Sequence, residues 1–213
     1  MDSLMADKPP ELLPKRKPVQ KRSQETRSKI AVAARALFSE VGYEKTTTTL
    51  IASRAAVSIG TVYAHFNDKR ELFLEIINEH LANFLPLLRA NIDESLKVSH
   101  GKANIIEKIV WDAYEAYKFD GKLNFEMEKF WLKDEKAVEI RAYWYGKYHE
   151  ELVRLVKALN KGQRIKDLEA AAVVITRTAY AILQSIYLGR EPLDEKAVLN
   201  EYIDMVRQYV LEA

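Results

Sequence analysis

The 213-residue chain contains no cysteine, which excludes disulfide scaffolds, thiolate zinc sites, iron–sulfur clusters and thiol nucleophiles together and fits a reducing compartment. Seven glycines leave little for a phosphate-cradling loop, and neither a G-x-S-x-G elbow nor a glycine-rich nucleotide loop occurs. His65, His80, His100 and His149 never stand at i, i+4 with a glutamate between them, so a zincin-type metal site is not encoded. Long hydrophobic runs are missing too. The longest uninterrupted apolar stretch, Ala170 to Ile175, is far below the ~18 residues a spanning helix requires, and residues 1–24 hold no apolar signal core. These absences predict a cytoplasmic protein, neither spanning a membrane nor secreted, with no catalytic residues, no metal and no cofactor. A helical enzyme is the alternative they disfavour.

What is present is a globular balance, with 48% hydrophobic and 30% charged residues, enough to bury a core without staples. Charge is unevenly placed. Residues 1–70 carry 13 Lys+Arg against 7 Asp+Glu, so that stretch is +6 while the whole chain is +2; the remainder is mildly acidic. Four of the six prolines (Pro9, Pro10, Pro14, Pro18) lie close to Lys15, Arg16 and Lys17, a composition that cannot form a helix and has nothing to bury. Residues 1–22 are therefore read as a flexible basic arm.

Beyond the arm, apolar residues recur at helical spacing. Ile30, Ala33, Leu37, Phe38 and Val41 form one stripe that Gly42 stops. Two short segments follow, Thr47–Ala55 and Ser58–His65, and then a long helix capped at Asn67 or Asp68, with Glu71 placed to complete a capping box from Asp68 and Pro86 expected to bend or interrupt it. Further helices are predicted over Lys102–Phe119, Leu123–Leu132, Glu135–Leu159, Asp167–Leu188 and Asp194–Leu211. No segment alternates with period two for more than a few residues, so the fold class is all-α.

The stretch Thr46 to Leu72 reads as helix, tight turn, helix: Ile51, Ala52 and Ala55 face inward, Val57 plugs the corner and Ser58 caps the second helix. Such a pair suits DNA, with the second helix entering the major groove and the first offering its N-terminus to a phosphate. Gly42, Tyr43, Thr46, Thr47, Ile51, Ala52, Val57, Ser58, Gly60, Thr61, Tyr63, His65, Phe66, Lys69 and Leu72 together resemble the N-terminal pattern of the TetR family of bacterial transcriptional regulators. The resemblance covers about Thr26 to Ile77 in sequence. It departs at Ala56, where the family usually has glycine; if that position has positive φ, alanine costs about 1 kcal/mol.

The resemblance implies a DNA-binding surface made of Thr46, Thr47, Ser58, Ile59, Gly60, Thr61, Tyr63, His65 and Lys69. Thr46 and Thr47 suit a phosphate at a helix N-terminus, though a plain cap is the bland reading. Gly60 leaves the groove wall unobstructed, and Thr61 can touch a base edge or a thymine methyl. One of Ile59 and Val62 packs inward and the other reaches bases. Tyr63 and His65 can donate to phosphates, and Lys69, which opposes its own helix dipole, would be explained by a phosphate partner.

The family's architecture implies a helix-turn-helix domain over residues 23–67 and an effector-binding and dimerisation domain over 68–213. Phe84, Trp111, Tyr114, Phe130, Trp131, Trp144 and Tyr148 are the expected effector residues, for a small apolar or aromatic molecule. Helix 167–188 looks apolar all round and helix 194–211 carries two adjoining apolar stripes, more than one core contact requires, so both are assigned to a homodimer seam. Arg177 and Gln184 are read as polar contacts across that seam rather than as ligand-orienting groups. The resulting expectation is a ligand-responsive repressor binding double-stranded operator DNA. A structural DNA-binding dimer without a ligand is the other alternative.

Overall fold

The computed structural model describes residues 21–97, 102–160, 165–189 and 194–211, and most of the basic arm lies outside them. Among the described residues every regular element is helical: α1 (Lys21–Val41), α2 (Thr48–Arg54), α3 (Ile59–His65), α4 (Lys69–Lys97), α5 (Lys102–Phe119), α6 (Gly121–Trp131), α7 (Glu135–Leu159), α8 (Leu168–Leu188) and α9 (Glu195–Leu211). The fold is all-α, and its described residues form two compact units, one drawn from Met1–Ala82 and Asp120–Trp144, the other from Asn83–Phe119 and Tyr145–Ala213. Residues 68–82 and 120–144, assigned by sequence to the second domain, pack in the first unit with α1–α3.

In the first unit α1 buries the expected stripe of Ile30, Ala33, Ala34, Leu37 and Phe38. It ends where Gly42, at φ +86°, turns its N–H back to the Phe38 carbonyl at 3.2 Å, the left-handed helix end that glycine tolerates without a Cβ penalty. Helices α2 and α3 have seven residues each, too few to persist alone. Caps and burial hold them. Thr47 Oγ1 accepts the Leu50 N–H at 3.2 Å and Ser58 Oγ the Thr61 N–H at 3.0 Å, while Ile51, Ala52, Val62 and Phe66 are buried.

The turn between α2 and α3 contains Ala56 at φ +53°, so the conditional cost named above applies. Ala56→Gly should stabilise the protein by about 0.5–1 kcal/mol, read as a higher urea midpoint with an unchanged m-value. An unchanged or lowered midpoint would show that the left-handed turn carries no strain.

The start of α4 is capped by Asp68, whose Oδ1 accepts the Glu71 N–H at 2.7 Å. The reciprocal half differs from the sequence expectation: the Glu71 carboxylate accepts the backbone and side-chain N–H groups of Asn67, both at 2.7 Å, so the box closes one residue earlier. Pro86 lies inside the helix without ending it. Behind α3, Arg27 on α1 lies over the Phe66 ring at 4.0 Å, donates to the His65 carbonyl and pairs with Glu75 on α4. His80 on α4 is enclosed by Arg35, Asp120 and Asn124, its Nε2 3.0 Å from Asn124 Oδ1; burial outweighs the attraction of Asp120 and lowers its pKa.

In the second unit α5, α8 and α9 pack together around Tyr114, Leu183 and Leu199, with Trp111, Tyr117 and Ile182 alongside. The Tyr114 hydroxyl donates to Glu195 and accepts from Lys118 Nζ at 2.9 Å. The second half of α4 is tied to α7 by Arg89–Glu151 at 2.6 Å and to α5 by Asn91–Asp112 at 2.7 Å. In this chain α8 is not buried all round as its sequence suggests: Ala171, Ala172 and Leu183 are its buried residues, because the described residues supply packing partners for one face alone. Length and composition alone would let α8 cross a membrane, yet Arg177, Gln184 and Ser185 interrupt that surface with polar groups.

Candidate nucleic-acid interface

The surface expected to meet DNA lies wholly in the first unit. On α3 the outward side chains are Ile59, 45% exposed, and Tyr63, 43% exposed, with Gly60 and Ala64 also outside. The alternative left open by sequence is resolved by burial: Val62 packs inward at 1% exposure and Ile59 faces solvent. A Cβ built on Gly60 would meet only Ser58 Oγ at 3.7 Å, so nothing inside the protein demands glycine there.

The hydroxyl groups divide by position. Thr47 caps α2 and is exposed, whereas Thr46 is fully buried and its Oγ1 donates to the Gly42 carbonyl at 2.8 Å. Ser58 and Thr61 face one another, Oγ to Oγ1 at 2.8 Å. Tyr63 Oη lies 3.2 Å from Thr48 Oγ1 on the first turn of α2. At the far end of α3, burial and the Arg27 charge lower the pKa of His65, so near neutral pH it presents an uncharged imidazole. Lys69, half-buried, directs Nζ to the carbonyls of Tyr43 at 2.8 Å and Glu44 at 3.4 Å, 4.2 Å above the Tyr43 ring. Two of its three N–H groups are therefore engaged with the α1–α2 turn.

Sequence reasoning missed the support behind this surface. Glu126 on α6 is buried and accepts the Tyr43 N–H at 2.8 Å, with Lys129 pairing to its other oxygen. Phe130 packs edge-on against Tyr43 and Phe73, at 4.8 and 5.0 Å between centroids, and burial together with the Asp68 and Glu44 carboxylates pushes the Tyr43 phenol up to about 12. Asp134, at the start of α7, takes Arg70 of α4 in a forked pair at 2.5 and 3.1 Å. Burial works to raise the Asp134 carboxyl, but the Arg70 and Ala137 hydrogen bonds outweigh it and hold it below the usual carboxylate range. The α1–α2 turn and the start of α4 are thereby fastened to α6 and α7. These partners are 64 to 83 residues apart, beyond the reach of any local periodicity.

The seven expected effector residues fall in both units. Phe84 and Tyr148 stack edge-to-face at 5.4 Å and Trp111 and Tyr114 at 5.6 Å in the second. In the first unit Phe130 sits as described, Trp131 lies under Arg141 at 5.1 Å and Trp144 Nε1 donates to Asn78 Oδ1 at 2.8 Å.

Residues 30–76 match the family model described as bacterial regulatory proteins, tetR family. The transcriptional regulator AcrR from Shigella flexneri is 42% identical over 198 residues, 89% of this chain and 91% of AcrR. The transcriptional regulator UidR from Escherichia coli is 33% identical over 99 residues, 46% of this chain and 48% of UidR, so the chain spans about half the length of those UidR relatives. Among solved structures, SmeT, the repressor of the Stenotrophomonas maltophilia multidrug efflux pump SmeDEF, superposes with a TM-score of 0.67 at 21% identity, covering 90% of this chain and 93% of SmeT. FadR from Bacillus subtilis in complex with stearoyl-CoA gives a TM-score of 0.64 at 18% identity, covering 84% and 96%.

Proposed function

Because this chain belongs to the TetR family of bacterial regulatory proteins, we propose that it is a ligand-responsive transcriptional repressor that binds operator DNA as a homodimer. The observation that carries the reading is the outward face of α3, apolar and uncovered on a short helix whose other face is held against α1 and α2. A surface built so rigidly and left bare is a recognition surface. Thr47, Ser58, Ile59, Gly60, Thr61, Tyr63 and His65 meet the DNA, Lys69 offers its third N–H to a phosphate, and Thr46 acts from behind by fixing the turn that presents Thr47. Catalysis has no part in this reading, and the relatives are named transcriptional regulators.

Two copies, joined through α8 and α9, place two such helices on half-sites about one helical turn, ~34–36 Å, or a small multiple apart. The polar groups on α8 suit a protein seam in a cytoplasmic dimer better than lipid. The effector is a small apolar or aromatic molecule in the second unit, around Phe84, Trp111, Tyr114 and Tyr148, and it acts through α4, which supplies residues to both units. FadR from Bacillus subtilis was solved with stearoyl-CoA and SmeT is named as a repressor, which supports effector-controlled repression. An effector shifts DNA affinity only by its differential affinity for two states, typically ~1–3 kcal/mol.

The test is selection of duplexes from fragmented genomic DNA by the full chain, followed by titration of the selected site with wild-type protein and Gly60→Ala. A methyl group at Gly60 is tolerated by the fold and forced against the groove, so the thermal midpoint should hold while affinity falls about tenfold or more, the cost of an overpacked contact. Failure to enrich any sequence, or equal affinity of the two proteins, would refute the assignment of α3.

A further inference from the structure

Building on the DNA-binding reading, the composition of α3 restricts how bases are read. Its seven residues, IGTVYAH, include no Arg or Lys to fork onto guanine, no Asn or Gln to pair with adenine, and no carboxylate to accept from cytosine. The hydroxyls at its start are mutually engaged, Ser58 with Thr61 at 2.8 Å, and the Tyr63 phenol is drawn to Thr48 on α2 at 3.2 Å, toward the helix terminus that suits a phosphate. What remains facing outward is aliphatic: Ile59, 45% exposed, and Ala64. They stand five residues, about 7.5 Å, apart along the axis and about 140° apart around it, so Ile59 marks one edge of the exposed face and Ala64 lies well round the helix from it. The one aliphatic group that base pairs present in the major groove is the thymine C5 methyl.

We propose that the protein selects its half-sites by thymine C5-methyl groups packed against the exposed side chain of Ile59. The operator is then specified in part by where T·A pairs place methyl groups, without the forked Arg–guanine contact. Uracil retains every hydrogen-bonding group of thymine and lacks only the methyl, so it isolates this contact.

The experiment selects duplexes from a random library with the full chain, then replaces dT by dU one position at a time. One or two positions in each half-site should lose about fourfold in affinity, the equivalent of about 0.8 kcal/mol for one buried methyl-sized group. At the same positions a 5-methylcytosine·G pair, which puts a methyl at the same place, should bind better than C·G by a similar factor. In Ile59→Ala the uracil penalty at one position should fall to near unity, and Ile59→Val should restore most of it; Ile59 is half-exposed, so melting curves should match wild type. The wild-type uracil series needs no variant to fold. If the wild type enriches no sequence, the DNA-binding reading itself fails. If it enriches a site in which no uracil substitution weakens binding, or in which the penalty survives in Ile59→Ala, the methyl reading fails and the DNA-binding reading stands.

Discussion

Replacing Val174 by glutamate is expected to leave the protein monomeric and to abolish tight binding to a duplex carrying two half-sites. Val174 is 59% exposed and Val173 46%, and Ala170, Val174, Arg177 and Ala181, all outward on α8, follow the i, i+4, i+7, i+11 spacing of one stripe. Met205 and Tyr209 extend the exposed apolar surface on α9. A two-fold seam repeats every change. Each Val174→Glu therefore removes about 1.5–3 kcal/mol of apolar burial per subunit, and it also strands a carboxylate in the contact. Small Ala181, which lets the backbones approach, should give the same result as Ala181→Glu. A monomer forfeits the second half-site, and with it an avidity factor of about a hundredfold or more. Sedimentation equilibrium measures the first effect and duplex titration the second. Val32→Glu, on an exposed valine of α1, is the control expected to change neither mass nor cooperativity of unfolding. A dimer that survives Val174→Glu, or a wild-type monomer, would remove the proposed seam.

That prediction starts from surface the sequence already marked, and the contrast with what it did not mark is instructive. Helices α5 and α7 run over Lys102–Phe119 and Glu135–Leu159, the spans their periodicity predicts, because the apolar spacing is local to each, and in α7 Glu135 adds an acidic first turn. The helix-turn-helix was legible for the same reason: two caps, a corner and a stripe lie within 27 consecutive residues, Thr46 to Leu72. Local spacing is silent about which distant element covers a given face. Phe130 looks like any aromatic on an amphipathic helix, and only the fold places it against Tyr43 and Phe73. Lys69 reads from sequence as a phosphate ligand, since its charge opposes the helix dipole, but the fold supplies carbonyls of the α1–α2 turn that account for two of its N–H groups. Thr46 and Thr47 are adjacent and chemically alike; one is sealed inside and the other caps α2, a distinction set by the backbone path after Gly42.

That path makes Gly42→Ala the substitution with the largest expected effect on stability. Gly42 holds φ +86°, where an L-residue costs about 1–2 kcal/mol. An added Cβ would also lie 3.2 to 3.3 Å from the carboxylate of Glu126, closer than the carboxylate can accept without moving. That carboxylate is not free to swing. It is buried, accepts the Tyr43 N–H at 2.8 Å and pairs with Lys129, so the few tenths of an ångström it must give weaken a charge-assisted hydrogen bond worth about 1.5–3 kcal/mol. The two effects act on the same turn, so Gly42→Ala should destabilise the protein by about 3 kcal/mol, combining the values for positive φ and for the weakened bond, seen as a lower urea midpoint at unchanged m-value. A double-mutant cycle separates them. In a Glu126→Ala background the carboxylate is absent, and the further cost of Gly42→Ala should shrink to the backbone part, about 1–2 kcal/mol. If the cost is the same in both backgrounds, Glu126 does not buttress the turn, and the coupling of α6 to the α1–α2 turn through Tyr43 loses its physical basis.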